Sequence, residues 1–184
     1  AMLVPACTAS KPTSLYVLTE RAPEKEPQGK ACPGVELEQV LFPGYLDYSG
    51  ILTREEPNRL RVSELHHWAE SLQESFTRVL AGNLDSRICG EQIAAVSRRA
   101  PTGSDYRIRV KVLRFEPVRR QHVVLRARWR VMAAGSEKAQ RTRLSSYRHP
   151  VQGTDHQAVA AAMSEAVASL SRDIAQGLGK LAAR

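Results

Sequence analysis

The chain is 184 residues long, 42% apolar, 25% charged and 5% aromatic. That length suits one domain with its own core, and the composition excludes collagen-like, coiled-coil and wholly disordered classes. Lys and Arg outnumber Asp and Glu by 27 to 19, so the net charge of +8 favours partners that carry phosphate or carboxylate. No apolar run approaches the roughly 18 residues that a membrane-spanning helix requires.

Residues 1–13 read as a flexible tether and residues 14–184 as a single domain. Within the tether, Leu3-Val4-Pro5-Ala6-Cys7 is patterned like the end of a bacterial lipoprotein signal, which makes Cys7 the candidate lipidation site; a stray cysteine in a tail is the plainer alternative. Leu15-Tyr16-Val17-Leu18 predicts a short strand, followed by an exposed Pro- and charge-rich connection over 21–30. Val35 to Leu41 alternates apolar with polar at first and predicts a second strand, ended by Pro43-Gly44. Ile51-Leu52-Thr53 reads as extended and Arg59 to Val62 as a brief strand.

Ser63 stands where a helix cap is wanted, with Glu64 in the first turn. The stripe Leu65, Trp68, Leu72, Phe76, Val79, Leu80 and Leu84 then predicts a helix from there to about residue 86. Tyr106 to Val112 alternates strictly, the pattern resumes from Val123 to Val131, and the two runs predict a hairpin with a bulge near Val112-Leu113, where the phase slips. Ala139 to Tyr147 is a third strand beyond an Ala134-Gly135-Ser136 turn. The final helix takes Thr154 and Gln157 as a capping box and Val159, Met163, Val167, Leu170, Ile174, Leu178 and Leu181 as its stripe, with Gly177 and Gly179 weakening its last turns. These elements predict an α/β chain of the α+β kind, a mixed β-sheet with two long helices packed on it.

Catalytic motifs are missing: there is no phosphate-cradling glycine loop, no G-x-S-x-G and no H-E-x-x-H. His66, His67 and Glu70 fall on one predicted helix turn, on the wet side and without a third metal ligand, so neither a metal nor a cofactor is implied. Asp47, Glu55, Glu56 and Glu64 are explained by caps, turns and pairing with nearby arginines. The basic excess concentrates between Asp105 and Arg148, where thirteen Lys and Arg oppose three acids for a net charge of +10. Arg107, Arg109, Arg126, Arg128 and Arg130 occupy the polar phase of their strands and should share one face. That face is either an ordinary solvated surface or a site for phospholipid headgroups, nucleic acid or an acidic protein. Nucleic acid is disfavoured because the polar phase of these strands has no Phe or Tyr between the arginines for bases to stack on. If Cys7 carries lipid, Cys32 and Cys89 remain, either as a disulfide stabilising by roughly 4 kcal/mol or as two separate thiols.

Pro43-Gly44-Tyr45-Leu46-Asp47, Ile51-Leu52-Thr53-Arg54, Asn58-Arg59-Leu60, Trp68-Ala69-Glu70-Ser71-Leu72 and Val79-Leu80-Ala81-Gly82-Asn83-Leu84 resemble the ABC-type transport auxiliary lipoproteins, the YmbA-like family that includes paraquat-inducible protein C. Arg114-Phe115-Glu116, Leu125-Arg126-Ala127-Arg128-Trp129 and Ala161 to Ala175 extend the likeness over nearly the whole chain from Leu15. The resemblance implies a fold similar to anticodon-binding domains and a non-enzymatic lipoprotein of the Gram-negative outer membrane, anchored in the periplasm through Cys7. It also implies partnership with the MCE-domain and ABC subunits of a lipid transporter; a second copy of the chain is a further candidate partner that the sequence itself does not decide. A nucleic-acid-binding module and an activator of a cell-wall enzyme are the rival functions. With the family in view, Tyr45 to Arg54 is either a docking loop, with Tyr45 and Arg54 as contacts, or core packing of Tyr45, Leu46 and Ile51; packing is favoured.

Overall fold

The computed structural model describes residues 12–21, 33–38, 40–88, 96–97 and 104–182. Cys7, Cys32 and Cys89 lie outside these residues, and so do the tether over 1–11 and most of the 21–30 connection. In chain order the elements are β1 (Ser14–Tyr16), β2 (Val35–Leu37), a 3-10 turn (Gly44–Leu46), β3 (Gly50–Glu56), β4 (Arg59–Trp68), α1 (Leu72–Ile88), β5 (Val96–Ser97), β6 (Tyr106–Val118), β7 (His122–Ala133), β8 (Ala139–Pro150) and α2 (His156–Ala182). The eight strands form one mixed sheet. β1 lies parallel to β4, β3 and β4 form a hairpin, and β6, β7 and β8 form an antiparallel meander. One edge of β6 is shared: β2 pairs with its beginning, Val35 opposite Tyr106, while β3 joins its end, Arg54 opposite Val118.

The meander obeys the alternation of its sequence. Val123, Leu125, Ala127, Trp129 and Val131 of β7 have no exposure, whereas Arg126, Arg128 and Arg130 between them face water. The expected bulge is present as a register shift between Val112 and Arg114. It re-phases β6 so that Phe115, rather than Arg114, follows Val112 into the core. Gly135, at φ +72°, makes the turn from β7 to β8 in a conformation that side chains other than Gly seldom adopt.

Both helices contribute to the core beneath this sheet. Phe76 of α1 meets Phe115 edge-on at 5.2 Å and Phe42 at the same separation, and burying each such ring contributes roughly 1.5–3 kcal/mol. α2 buries Val159, Met163, Val167, Leu170, Ile174 and Leu178 as expected, and its small residues Ala160, Ala162 and Ala166 are buried with them. Gly177 lets the helix backbone approach Trp129: a Cβ there would stand 2.7 Å from the indole Cη2. Beside this contact the Trp129 indole N–H donates to Ser145 Oγ at 3.1 Å, and Asp173 of α2 accepts from Ser145 at 3.2 Å and from the Tyr147 hydroxyl at 2.6 Å.

Two expected helix starts are corrected. Ser63 is not a cap, because the strand that begins at Arg59 continues to Trp68. Its last three residues pair with β1, Ser14 opposite His66 and Tyr16 opposite Trp68, a partner some fifty residues distant that no local pattern reveals. The helix starts instead at Leu72, where Ser71 Oγ accepts from the Glu74 amide at 3.2 Å. At α2 the cap is Asp155, whose Oδ1 accepts from the Ala158 amide at 2.8 Å, in place of the Thr154–Gln157 box.

Candidate functional site: a basic sheet face

β6 and β7 run in register so that Arg109 stands opposite Arg130, Lys111 opposite Arg128 and Arg114 opposite Arg126. β8 continues these rows with Thr142, Leu144 and Ser146, and Leu144 is 49% exposed. Like charges directly across a ladder are destabilising, by a few tenths to about 1 kcal/mol each, so the face carries an electrostatic cost within the free chain.

The five arginines grouped from the sequence share this face but not its chemistry. Arg107 and Arg109 are neutralised. The Arg107 guanidinium donates to Glu137 Oε1 at 2.7 Å and to the Ser136 carbonyl at 2.7 Å, and Arg109 donates to Glu38 through Nε and, at 3.2 Å, through Nη2. Arg107 holds the Glu137 carboxyl below the usual carboxylate range by hydrogen bond and charge. Arg126, Arg128 and Arg130 are exposed, and among the described residues no carboxylate forms an ion pair with them. Lys111 opposite Arg128 is therefore the rung with no compensation on either side.

At the far end of the face the bulge brings Glu116 onto the outer side of the sheet, yet its side chain has no exposure. Arg54 Nε at 2.7 Å and Arg114 Nε at 2.9 Å donate to Oε1, while the Tyr45 hydroxyl at 2.8 Å and the Phe115 amide at 3.1 Å donate to Oε2. Burial works to raise the Glu116 pKa, but the bonds from Arg54, Tyr45 and Arg114 outweigh it and hold the carboxyl below its usual range. Burial, with the Glu116 bond added, pushes the Tyr45 phenol well above its ordinary value. Leu46 and Ile51 pack in the core, as the packing alternative for this segment requires. Tyr45 and Arg54 are brought together around a carboxylate to which sequence reasoning gave no role; its signals were its place in Arg114-Phe115-Glu116 and the phase slip at Val112-Leu113 shortly before it.

His66 and His67 sit on β4 rather than on a helix turn with Glu70. Glu70 pairs with Arg78 at 2.6 Å. The His66 ring stacks on His156 with centroids 3.7 Å apart, and its Nδ1 is 2.8 Å from the Tyr16 hydroxyl. Among the described residues no group of three or more His, Cys, Asp or Glu is placed to hold a metal ion, and no helix is long and apolar enough to cross a membrane.

The fold has solved counterparts. A crystal structure of an uncharacterized protein is similar with a TM-score of 0.76 at 21% identity, over 91% of this chain and 99% of the other. A crystal structure of a protein from Xanthomonas campestris is similar with a TM-score of 0.73 at 21% identity, over 89% of this chain and 93% of the other. No curated protein sequence matches. The family model described as the ABC-type transport auxiliary lipoprotein component matches residues 16–175, a span that holds the buried stripe of α1, that of α2 as far as Ile174, and the basic face. The chain belongs to the ABC-type transport auxiliary lipoprotein family.

Proposed function

We propose that the chain is a periplasmic lipoprotein held at the outer membrane through Cys7 and the 1–13 tether, and that it serves an MCE/ABC-type lipid transport system as a docking subunit. Its basic sheet face meets an acidic surface on a transporter subunit, and its own side chains make and break no bonds. The family supports a role beside an ABC transporter. The observation that carries the docking face is the uncompensated Lys111–Arg128 rung, flanked by Arg126 and Arg130 and by exposed Leu144. A row of like charges that costs stability in the free chain is relieved when carboxylates cover it. A nucleic-acid partner is less well supported, because Arg126, Arg128 and Arg130 follow one another on the outer phase of β7 with no ring between them, and the ring of that phase, His122, lies at its end beside Arg148.

The test is co-purification from native membranes of the wild-type chain and of a chain carrying Arg126→Glu, Arg128→Glu and Arg130→Glu. The wild type is expected to recover MCE-domain and ABC subunits and the triple variant to lose them, while intact mass shows acylated Cys7 in both. Equal recovery by both chains, a cell-wall synthase as the companion, or tight, salt-sensitive binding to a single-stranded oligonucleotide overturns the reading.

A further inference from the structure

The two hairpin turns and the end of β8 enclose an open groove of about 780 Å³, walled by Arg54, Arg114, Arg119, His122 and Arg148. Its charges do not balance. Glu55 and Glu56 also line it, but Glu55 faces Arg61 and Glu56 pairs with Arg59 outside the wall. Arg54 and Arg114 share the single buried carboxylate of Glu116. Arg119 Nε donates to the Glu55 carbonyl at 2.9 Å, a neutral partner that leaves its charge uncancelled. Arg148 Nη2 lies 3.2 Å from His122 Nδ1. A guanidinium has no lone pair to offer, so Nδ1 must accept and the ring must be neutral, with its proton on Nε2. Burial, then Arg148 and Arg114, keep the His122 pKa below its ordinary value.

The β6–β7 turn adds an independent observation. Arg119 and Arg120 adopt φ of 49° and 53°, with the Gln121 amide donating to the Val118 carbonyl at 2.9 Å. Asn-Gly is the usual occupant of such a left-handed pair, and an ordinary side chain there costs roughly 1–2 kcal/mol. The chain places arginine at both positions, and backbone strain of this kind concentrates where a side chain's function outweighs its cost.

We propose that this groove binds a phosphoryl anion, with Arg114, Arg119 and Arg148 as its donors. The same tetrahedral, multiply charged oxygen cage is presented by a phospholipid headgroup and by free phosphate, and forked guanidinium donors match either. The site lies at one end of the same outer side, with Arg114 opposite Arg126, but it takes no donor from the Arg126, Arg128 and Arg130 row and stands whether or not that row docks a protein.

The full chain, with its His122 ring followed by NMR, is titrated with pH in inorganic phosphate and in chloride of matched ionic strength. An anion beside the ring favours its charged form, so phosphate is expected to raise the His122 midpoint and chloride to leave it unchanged. Arg148→Ala and Arg119→Gly should each weaken the phosphate response at least tenfold. Glycine fits the left-handed turn without strain, so the Arg119→Gly chain remains folded, as its urea midpoint will report. Sedimentation with vesicles of phosphatidylcholine alone or with added phosphatidic acid separates the sources. Phosphatidic-acid binding that Arg119→Gly abolishes identifies a headgroup site, and a phosphate response without vesicle binding identifies a site for free phosphate. A His122 midpoint indifferent to phosphate, or a response that survives both substitutions, overturns the proposal. A chain carrying only Arg128→Glu and Arg130→Glu, which leaves Arg126 opposite Arg114, should keep the phosphate response, so failure of the docking face and failure of the groove are distinguishable.

Discussion

Replacing Gly177 by Ala pits two effects of known size against each other in the last third of α2. Ala is favoured over Gly in a helix by about 1 kcal/mol. At Gly177, however, the added Cβ would stand 2.7 Å from Trp129 Cη2 and 3.2 Å from Arg141 Cδ and Nε, where about 3.4–4 Å is ordinary contact. The indole is fully buried and tied to Ser145 by its N–H, so it cannot withdraw without straining a hydrogen bond worth about 1 kcal/mol. Overpacking of this kind costs typically 1–3 kcal/mol. Gly179, two residues on, has nothing within 4 Å of the corresponding Cβ and serves as the internal control. The propensity gain is common to both sites, so the difference between the variants isolates the clash. Gly179→Ala should stabilise by up to about 1 kcal/mol, whereas Gly177→Ala should be roughly 1–3 kcal/mol less stable than Gly179→Ala. Urea unfolding followed by Trp fluorescence gives both midpoints. Combining Gly177→Ala with Trp129→Phe, which trims the ring at the point of contact, should recover part of the loss as a positive coupling. Equal shifts for the two alanine variants would show that Gly177 has no packing role against Trp129.

Three other outcomes follow from the same structure. Arg128→Glu converts the Lys111 rung from like to opposite charges and should raise stability by roughly 0.5 kcal/mol, a gain that shrinks as salt is added; a loss of stability in the urea midpoint refutes the assignment of this rung. Glu116→Gln leaves Arg54 and Arg114 without their carboxylate and should cost about 2–3 kcal/mol, less than the roughly 3–5 for a fully buried pair because both arginines retain some contact with water; an unchanged thermal midpoint contradicts that role. Burial, before any neighbouring charge, lowers the pKa values of His122, His149 and His156 from 6.5, so the unfolded chain binds more protons than the folded one as pH falls through that value. Thermal stability should therefore decline from pH 7 to about 5, above the range in which the carboxylates titrate, and His156→Gln should flatten the decline; stability that rises over this window has the wrong sign.

The sequence discloses best what depends on near neighbours. Strict alternation through Tyr106–Val112 and Val123–Val131 located the hairpin, and the broken phase at Leu113 located the bulge, because side-chain period is a local property of a strand. The segment 63–71 misled because Leu65 and Trp68 are spaced acceptably for a helix, and the parallel strand that holds His66 to Trp68 extended is supplied from far upstream. The basic face was legible as a set of five arginines but not as a division between neutralised and free ones, since Glu38 lies about seventy residues from Arg107 and Arg109. Glu116 was obscure for the same reason: its partners Tyr45 and Arg54 reach it only once β3 is placed against the end of β6. Gly177 read as a weak point in a helix because sequence gives no view of the indole against it.

The shared edge of β6 also bears on the order in which the chain can assemble. Residues 12–88 contain β1, β3 and β4 but neither of the long-range pairings that β6 makes with β2 and β3. A polypeptide emerging from a ribosome or a translocation pore amino-terminus first must therefore wait, with the β3 flank unpaired, until residue 118 is free. Closure at such sequence separation is slow, so the growing chain passes through an interval in which its open strand edge is exposed to association.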